Sequence, residues 1–89
     1  MEYSTNFLHK AHQYSFENKK QILASKIVGC FYCKRVYPAI DITDADYILD
    51  KNEGTAGCPY CGIDSVIGDV AGIELSAEFL EVMNKYYFS

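Results

Sequence analysis

Gly29-Cys30-Phe31-Tyr32-Cys33 and Gly57-Cys58-Pro59-Tyr60-Cys61-Gly62 decide the fold of this 89-residue chain: two C-x-x-C pairs with 24 residues between Cys33 and Cys58, and no cysteine left over. A C-x-x-C pair wraps a tight turn so that both sulfurs face one point, and two such turns supply the four ligands of a closed tetrahedron. Cys30, Cys33, Cys58 and Cys61 are therefore read as the ligands of one structural zinc ion, with iron the competing metal because four thiolates suit either. A closed four-thiolate site keeps no position for water or substrate, so it stabilises a fold and does not catalyse.

Other uses of four cysteines fit less well. A disulfide scaffold belongs to secreted chains, yet no apolar export segment follows Met1, and the first dozen residues carry His9, Lys10 and His12. A redox dithiol of the thioredoxin type uses one pair within a longer strand-helix fold; here there are two pairs and too little chain. Without an export signal or a transmembrane run, and with thiols that must stay reduced to hold metal, the expected compartment is the cytoplasm.

A chain of this length makes one domain, near the lower size at which apolar burial alone sustains a fold. A metal staple is useful there, since structural zinc contributes about 10 kcal/mol or more in small zinc peptides. Almost half the residues are apolar (49%), with eight tyrosines and five phenylalanines, enough bulk for a modest core. Charge shifts along the chain. Residues 1–29 carry four Lys against two acids, 30–62 three basic residues against five acids, and 63–89 one Lys against five acids. Four bound thiolates around a divalent ion add a further negative charge of two. This balance argues against non-specific nucleic-acid binding, which needs a basic surface. Lys19, Lys20, Lys26, Lys34 and Arg35 are read as a solvated basic face.

The rest of the chain frames the cysteines as an α+β fold: a helical N-terminal segment over 1–26, a metal module over 27–68 and a C-terminal helix over 76–88. Thr5 is expected to cap a first helix with Phe7, Leu8, Ala11 and Tyr14 along one stripe. His9 and His12 on it are surface or core-edge residues, since the metal already has four better-spaced ligands. Asn18 with Gln21 resembles a capping box opening a helix over Lys19–Ala24, with Ile22 and Leu23 pointing inward. Lys26-Ile27-Val28 reads as a strand entering the first turn, and Val36-Tyr37 as its return, ended by Pro38.

In the acidic stretch Ile40 and Ile42 are expected to alternate inward, while Asp41, Asp44 and Asp46 are solvated loop charges that lack the glycine and terminal Glu of a calcium loop. Tyr47-Ile48-Leu49 has strand character, Lys51-Asn52-Glu53-Gly54 a turn, and Thr55-Ala56-Gly57 returns to the second cysteine turn. Ile63–Gly68 is a strand in a plain ribbon or a short helix in a treble clef; six residues do not distinguish the periods. Ser76 caps a final helix whose Phe79, Leu80, Met83, Tyr86 and Tyr87 face the metal module and the first helix.

With these residues in view, Gly29–Cys33 and Cys58-Pro59-Tyr60-Cys61-Gly62-Ile63-Asp64-Ser65-Val66-Ile67-Gly68 resemble a family of small bacterial cytoplasmic proteins, the likeness running from about His12 to Phe88. The resemblance implies metal ligation by the four cysteines and a bacterial or phage cytoplasmic source; it carries no reaction. The turns are also similar to those supporting His-Asn-His nucleases, but those need a histidine-bearing hairpin and none occurs after His12. A further likeness is to zinc ribbons of transcription and translation proteins, which bind nucleic acid or protein partners. Three functions follow: a non-enzymatic module binding a protein partner, a nucleic-acid-binding ribbon using Lys34 and Arg35 with Phe31 or Tyr32 stacking on bases, and an enzyme or redox protein with one reactive thiol pair. The first is favoured by the closed site, the acidic C-terminal part and the absence of a nucleophile-base pair.

Overall fold

A computed structural model describes residues 3–48 and 54–88. In chain order the elements are α1 (Thr5–Gln13), α2 (Lys19–Ala24), β1 (Ile27–Cys30), β2 (Val36–Pro38), β3 (Tyr47–Ile48), β4 (Thr55–Ala56), β5 (Val66–Gly68) and α3 (Ala77–Phe88), with single 310 turns at Ala39–Asp41, Asp44–Asp46 and Asp69–Ala71. This is the expected small α+β fold, a ribbon-like core flanked by helices at both ends. Strand β1 is central: it pairs antiparallel with β2, placing Val28 opposite Tyr37, and with β5, placing Cys30 opposite Val66. Strands β3 and β4 form a separate antiparallel ladder.

Alternation along these strands divides the core in two. Val28, Cys30, Tyr37 and Val66 face one side, where Ile22, Ala39, Ile42, Ala56 and Cys58 join them. Ile67 faces the other, against Leu8 and Ala11 of α1, Phe31, and Phe79, Leu80 and Met83 of α3. Gly29 lies on this second face, and a Cβ there would sit 3.3 Å from a Leu80 methyl, so the missing side chain lets α3 lie close on the sheet. The cysteines thus occupy one face of the sheet, and the helix pair covers the other.

Several local expectations hold. Ser76 caps α3, its hydroxyl accepting from Phe79 N at 3.1 Å. Pro38 closes β2, and of the stretch left open between strand and helix, Val66–Gly68 forms a strand and 63–65 are irregular. Others are corrected. The cap of α1 is Ser4, whose hydroxyl accepts from Phe7 N, so Thr5 is already helical. Leu23 and Ile40 point to solvent, 68% and 85% exposed: the six-residue helix buries Ile22, and the 310 turn buries Ala39, with Ile42 buried in the extended residue after it. Tyr86 is exposed on α3, while Tyr87 is half-buried. The end of the expected strand at Leu49 and the turn at 51–53 lie outside the described residues.

Candidate metal centre

The two cysteine turns are built alike. In the first, Lys34 N donates to Cys30 O at 2.8 Å and Cys30 N to Arg35 O at 3.0 Å; in the second, Gly62 N donates to Cys58 O at 2.8 Å and Cys58 N to Ile63 O at 3.0 Å. Each turn therefore needs a left-handed residue directly after its second cysteine. Gly62 has φ +79°, as its lack of a Cβ allows, and Lys34 adopts φ +63° despite having one. Gly57 enters the second turn with its amide on Asp46 O at 2.8 Å. A Cβ there would lie 3.0 Å from that same oxygen, a tight contact that favours glycine.

These turns bring the four cysteine sulfurs within 4.8 Å of one another, so that together they could hold a metal ion. Across the turns, Cys30 Sγ lies 3.6 Å from Cys61 Sγ, and Cys33 Sγ lies 3.9 Å from Cys58 Sγ. A tetrahedron with metal-sulfur bonds of about 2.3 Å has edges of about 3.8 Å, which both separations match. They are far beyond the roughly 2.05 Å of a disulfide, and all four thiols are free. Cys30 and Cys58 are buried; Cys33 and Cys61 are half-buried.

The electrostatics call for a cation. The amides of Tyr32 and Cys33 point at Cys30 Sγ, those of Tyr60 and Cys61 at Cys58 Sγ, and that of Ile63 at Cys61 Sγ. Burial nonetheless pushes the Cys30 thiol above its ordinary value, the Ser65 hydroxyl and the two amides only partly offsetting it. Cys61 is pushed up to about 12, by burial first and then by its neighbour Cys30. At Cys58 burial acts in the same direction, but the Tyr37 hydroxyl and the amides outweigh it and lower the thiol. Sulfurs this close resist ionising together unless a positive ion sits among them. The Tyr37 hydroxyl is itself buried without a hydrogen-bond partner, and burial first and Cys58 next hold it well above its ordinary value.

The remaining candidates fall outside this cluster. Among the described residues no other group of three or more His, Cys, Asp or Glu side chains comes together. His9 Nε2 is 2.9 Å from the Tyr86 hydroxyl, and the His12 ring stacks on Tyr87 at 4.3 Å, so both histidines join α1 to α3 at the core edge. Asp46 is not simply solvated: its carboxylate accepts from Thr43 N at 2.8 Å, closing a capping box, and Asp41 accepts from the Tyr60 hydroxyl at 2.7 Å. In the basic group, Lys34 pairs with Glu81 at 3.8 Å, and the Arg35 guanidinium lies 4.4 Å over the Tyr60 ring. Phe31 is 1% exposed and cannot stack on a base; Tyr32 is open to solvent. Sequence reasoning missed Tyr37 and Ser65 as neighbours of the sulfurs. The available signal was their matched spacing, each four residues beyond the second cysteine of its turn.

No family model, curated protein or solved structure matches this chain in comparisons with known proteins. Among the described residues, no helix is long and apolar enough to cross a membrane.

Proposed function

We propose that this chain is a small cytoplasmic protein, stapled by one zinc ion on Cys30, Cys33, Cys58 and Cys61, that serves as a non-enzymatic protein-interaction or regulatory module. The observation that carries this reading is the sulfur cluster: four thiols within 4.8 Å of one another, two pairs of them at the edge length of a zinc tetrahedron, would fill the coordination of zinc and leave no place for a reacting group. Zinc is favoured over iron because a structural role needs no redox change. A reducing compartment keeps the thiols available.

The surface offered to a partner combines aromatic and acidic groups. Tyr32, Tyr86 and Phe88 are each more than 40% exposed on or beside α3. The C-terminal segment over 63–89, which bears Tyr86 and Phe88, has five acids to one lysine. Large rings at low entropic cost are the common anchors of protein interfaces, and the acidic balance disfavours phosphate.

Affinity isolation from the native host with the zinc-loaded full chain tests the proposal, run beside a Tyr32→Ala/Phe88→Ala variant of equal zinc content. A specific protein retained by the parent and lost by the variant is the expected result. Retention of nothing, together with turnover of a substrate by the pure chain, contradicts the proposal. Salt-sensitive nucleic-acid binding that weakens on charge reversal at Lys34 and Arg35 replaces it with the ribbon reading.

A further inference from the structure

The two cysteine turns are related by more than their hydrogen bonds. Counting from the first cysteine of each turn, the second cysteine falls at the third residue on, the left-handed residue at the fourth (Lys34, Gly62) and a hydroxyl at the seventh: Tyr37 after Cys30, Ser65 after Cys58. Each hydroxyl sits near the opposite turn. Ser65 Oγ lies 3.2 Å from Cys30 Sγ, and the Tyr37 hydroxyl is buried beside Cys58. Ser65 is 1% and Tyr37 5% exposed, so water does not reach these sulfurs to replace either group. Ser65 Oγ reaches the buried first cysteine of the other turn, and the buried Tyr37 hydroxyl, which has no hydrogen-bond partner, lies in the same core cluster as the buried Cys58; Cys33 and Cys61 are half-buried.

We propose that Tyr37 and Ser65 are positioning residues for the metal site, a crossed pair of hydroxyl donors in which each turn neutralises and orients the buried thiolate of the other. The inference rests on the metal reading and adds a coupling to it. A divalent ion on four thiolates carries a net charge of minus two, and its buried half lies away from solvent, where hydrogen-bond donors must supply the compensation. Amides of the same turn provide part of it; the crossed hydroxyls provide the rest and tie the two turns together. Partners of metal ligands that orient them in this way typically change metal affinity about 10- to 100-fold when removed.

Cobalt(II) titration of the full chain under reducing conditions tests the proposal, comparing the parent with Tyr37→Phe, Ser65→Ala and Ser65→Thr. Loss of a hydrogen bond raises the energy of the sulfur lone pairs, so Tyr37→Phe and Ser65→Ala are each expected to move the sulfur-to-cobalt charge-transfer band to lower energy. Each is also expected to weaken zinc in chelator competition about tenfold or more. Ser65→Thr, which keeps the hydroxyl, returns both readouts toward the parent. Tyr60→Phe removes a hydroxyl that faces Asp41 instead of a sulfur, and leaves the band in place. If the parent shows the four-sulfur cobalt spectrum but Tyr37→Phe and Ser65→Ala leave band and affinity unchanged, or lower only thermal stability, the crossed donors are overturned while the metal reading stands. If the parent itself shows no four-sulfur spectrum, the metal reading fails and the inference falls with it. Should Tyr37→Phe not fold, the isolated Ser65 pair of variants decides the question.

Discussion

Lys34 and Gly62 occupy the same left-handed position in matched turns, φ +63° and +79°, yet only one of them is glycine. A side chain in that region costs about 1 kcal/mol relative to glycine. Lys34→Gly is therefore expected to raise stability by about 1 kcal/mol, less a small loss from its exposed pairing with Glu81, and Gly62→Ala to lower it by a similar amount. Thermal unfolding at fixed free zinc checks both signs. A larger effect belongs to Asn18. Its side chain, 1% exposed, donates to Tyr14 O at 2.9 Å and Val66 O at 2.8 Å and accepts from Ala56 N at 3.0 Å, joining the end of α1 to β5 and β4. Asn18→Ala strands these buried groups and is expected to cost about 2–4 kcal/mol in denaturant unfolding. The sequence pattern suggested a capping box at Asn18; the structure uses it as a three-way tie, with no cap hydrogen bond from its side chain. Capping is a local signal, whereas a bond to a residue 48 positions away leaves no periodic trace.

At the scale of elements, α3 sits on the sheet through Phe79, Leu80 and Met83, all fully buried, and is pinned by Asn84 Nδ2 donating to Tyr32 O at 2.8 Å and the Tyr87 hydroxyl donating to Leu8 O at 3.2 Å. Phe79→Ala empties the centre of this contact and is expected to cost about 3–5 kcal/mol while leaving the zinc stoichiometry at one. Gly68 in β5 marks the tightest approach of strand to helix: a Cβ there would collide with Ser25 Oγ, a group that donates to Gln21 O at 2.7 Å and accepts from Val70 N. Gly68→Ala is accordingly expected to destabilise by about 1–3 kcal/mol. The long helix was legible because its apolar residues recur over three turns. The short elements were legible only as elements. Over six residues or fewer, Ile22 and Leu23, or Ile40 and Ile42, carry the same apolar signal, and only packing against β4, β5 and the cysteine turns selects Ile22 and Ile42 for burial. Whether a strand or a helix follows the second turn was likewise fixed by the free edge of β1.

For the whole molecule, the two cysteine turns stitch the three-stranded sheet to the separate β3–β4 ladder, beside the shared apolar core and the buried Asn18. The first turn joins β1 to β2, and the second joins β4 of one sheet to β5 of the other. The four cysteines that could hold a metal were fully legible because their chemistry is written in spacing; the hydroxyls near them were not, because their placement depends on how the turns cross. Acidification should release the metal with uptake of several protons. Protons and the ion compete for the same four sulfurs, so release follows protonation of the set. A zinc-responsive dye followed from neutral to acid pH is expected to show a single steep release, steeper than one proton. The most direct test of the central claim is native mass spectrometry of reduced protein before and after complete chelation. The account predicts one divalent ion per chain in a compact charge-state distribution, which shifts to that of an open chain once the ion is removed. A chain that stays compact without metal, or whose mass is lower by the hydrogens two disulfides would lose, contradicts it.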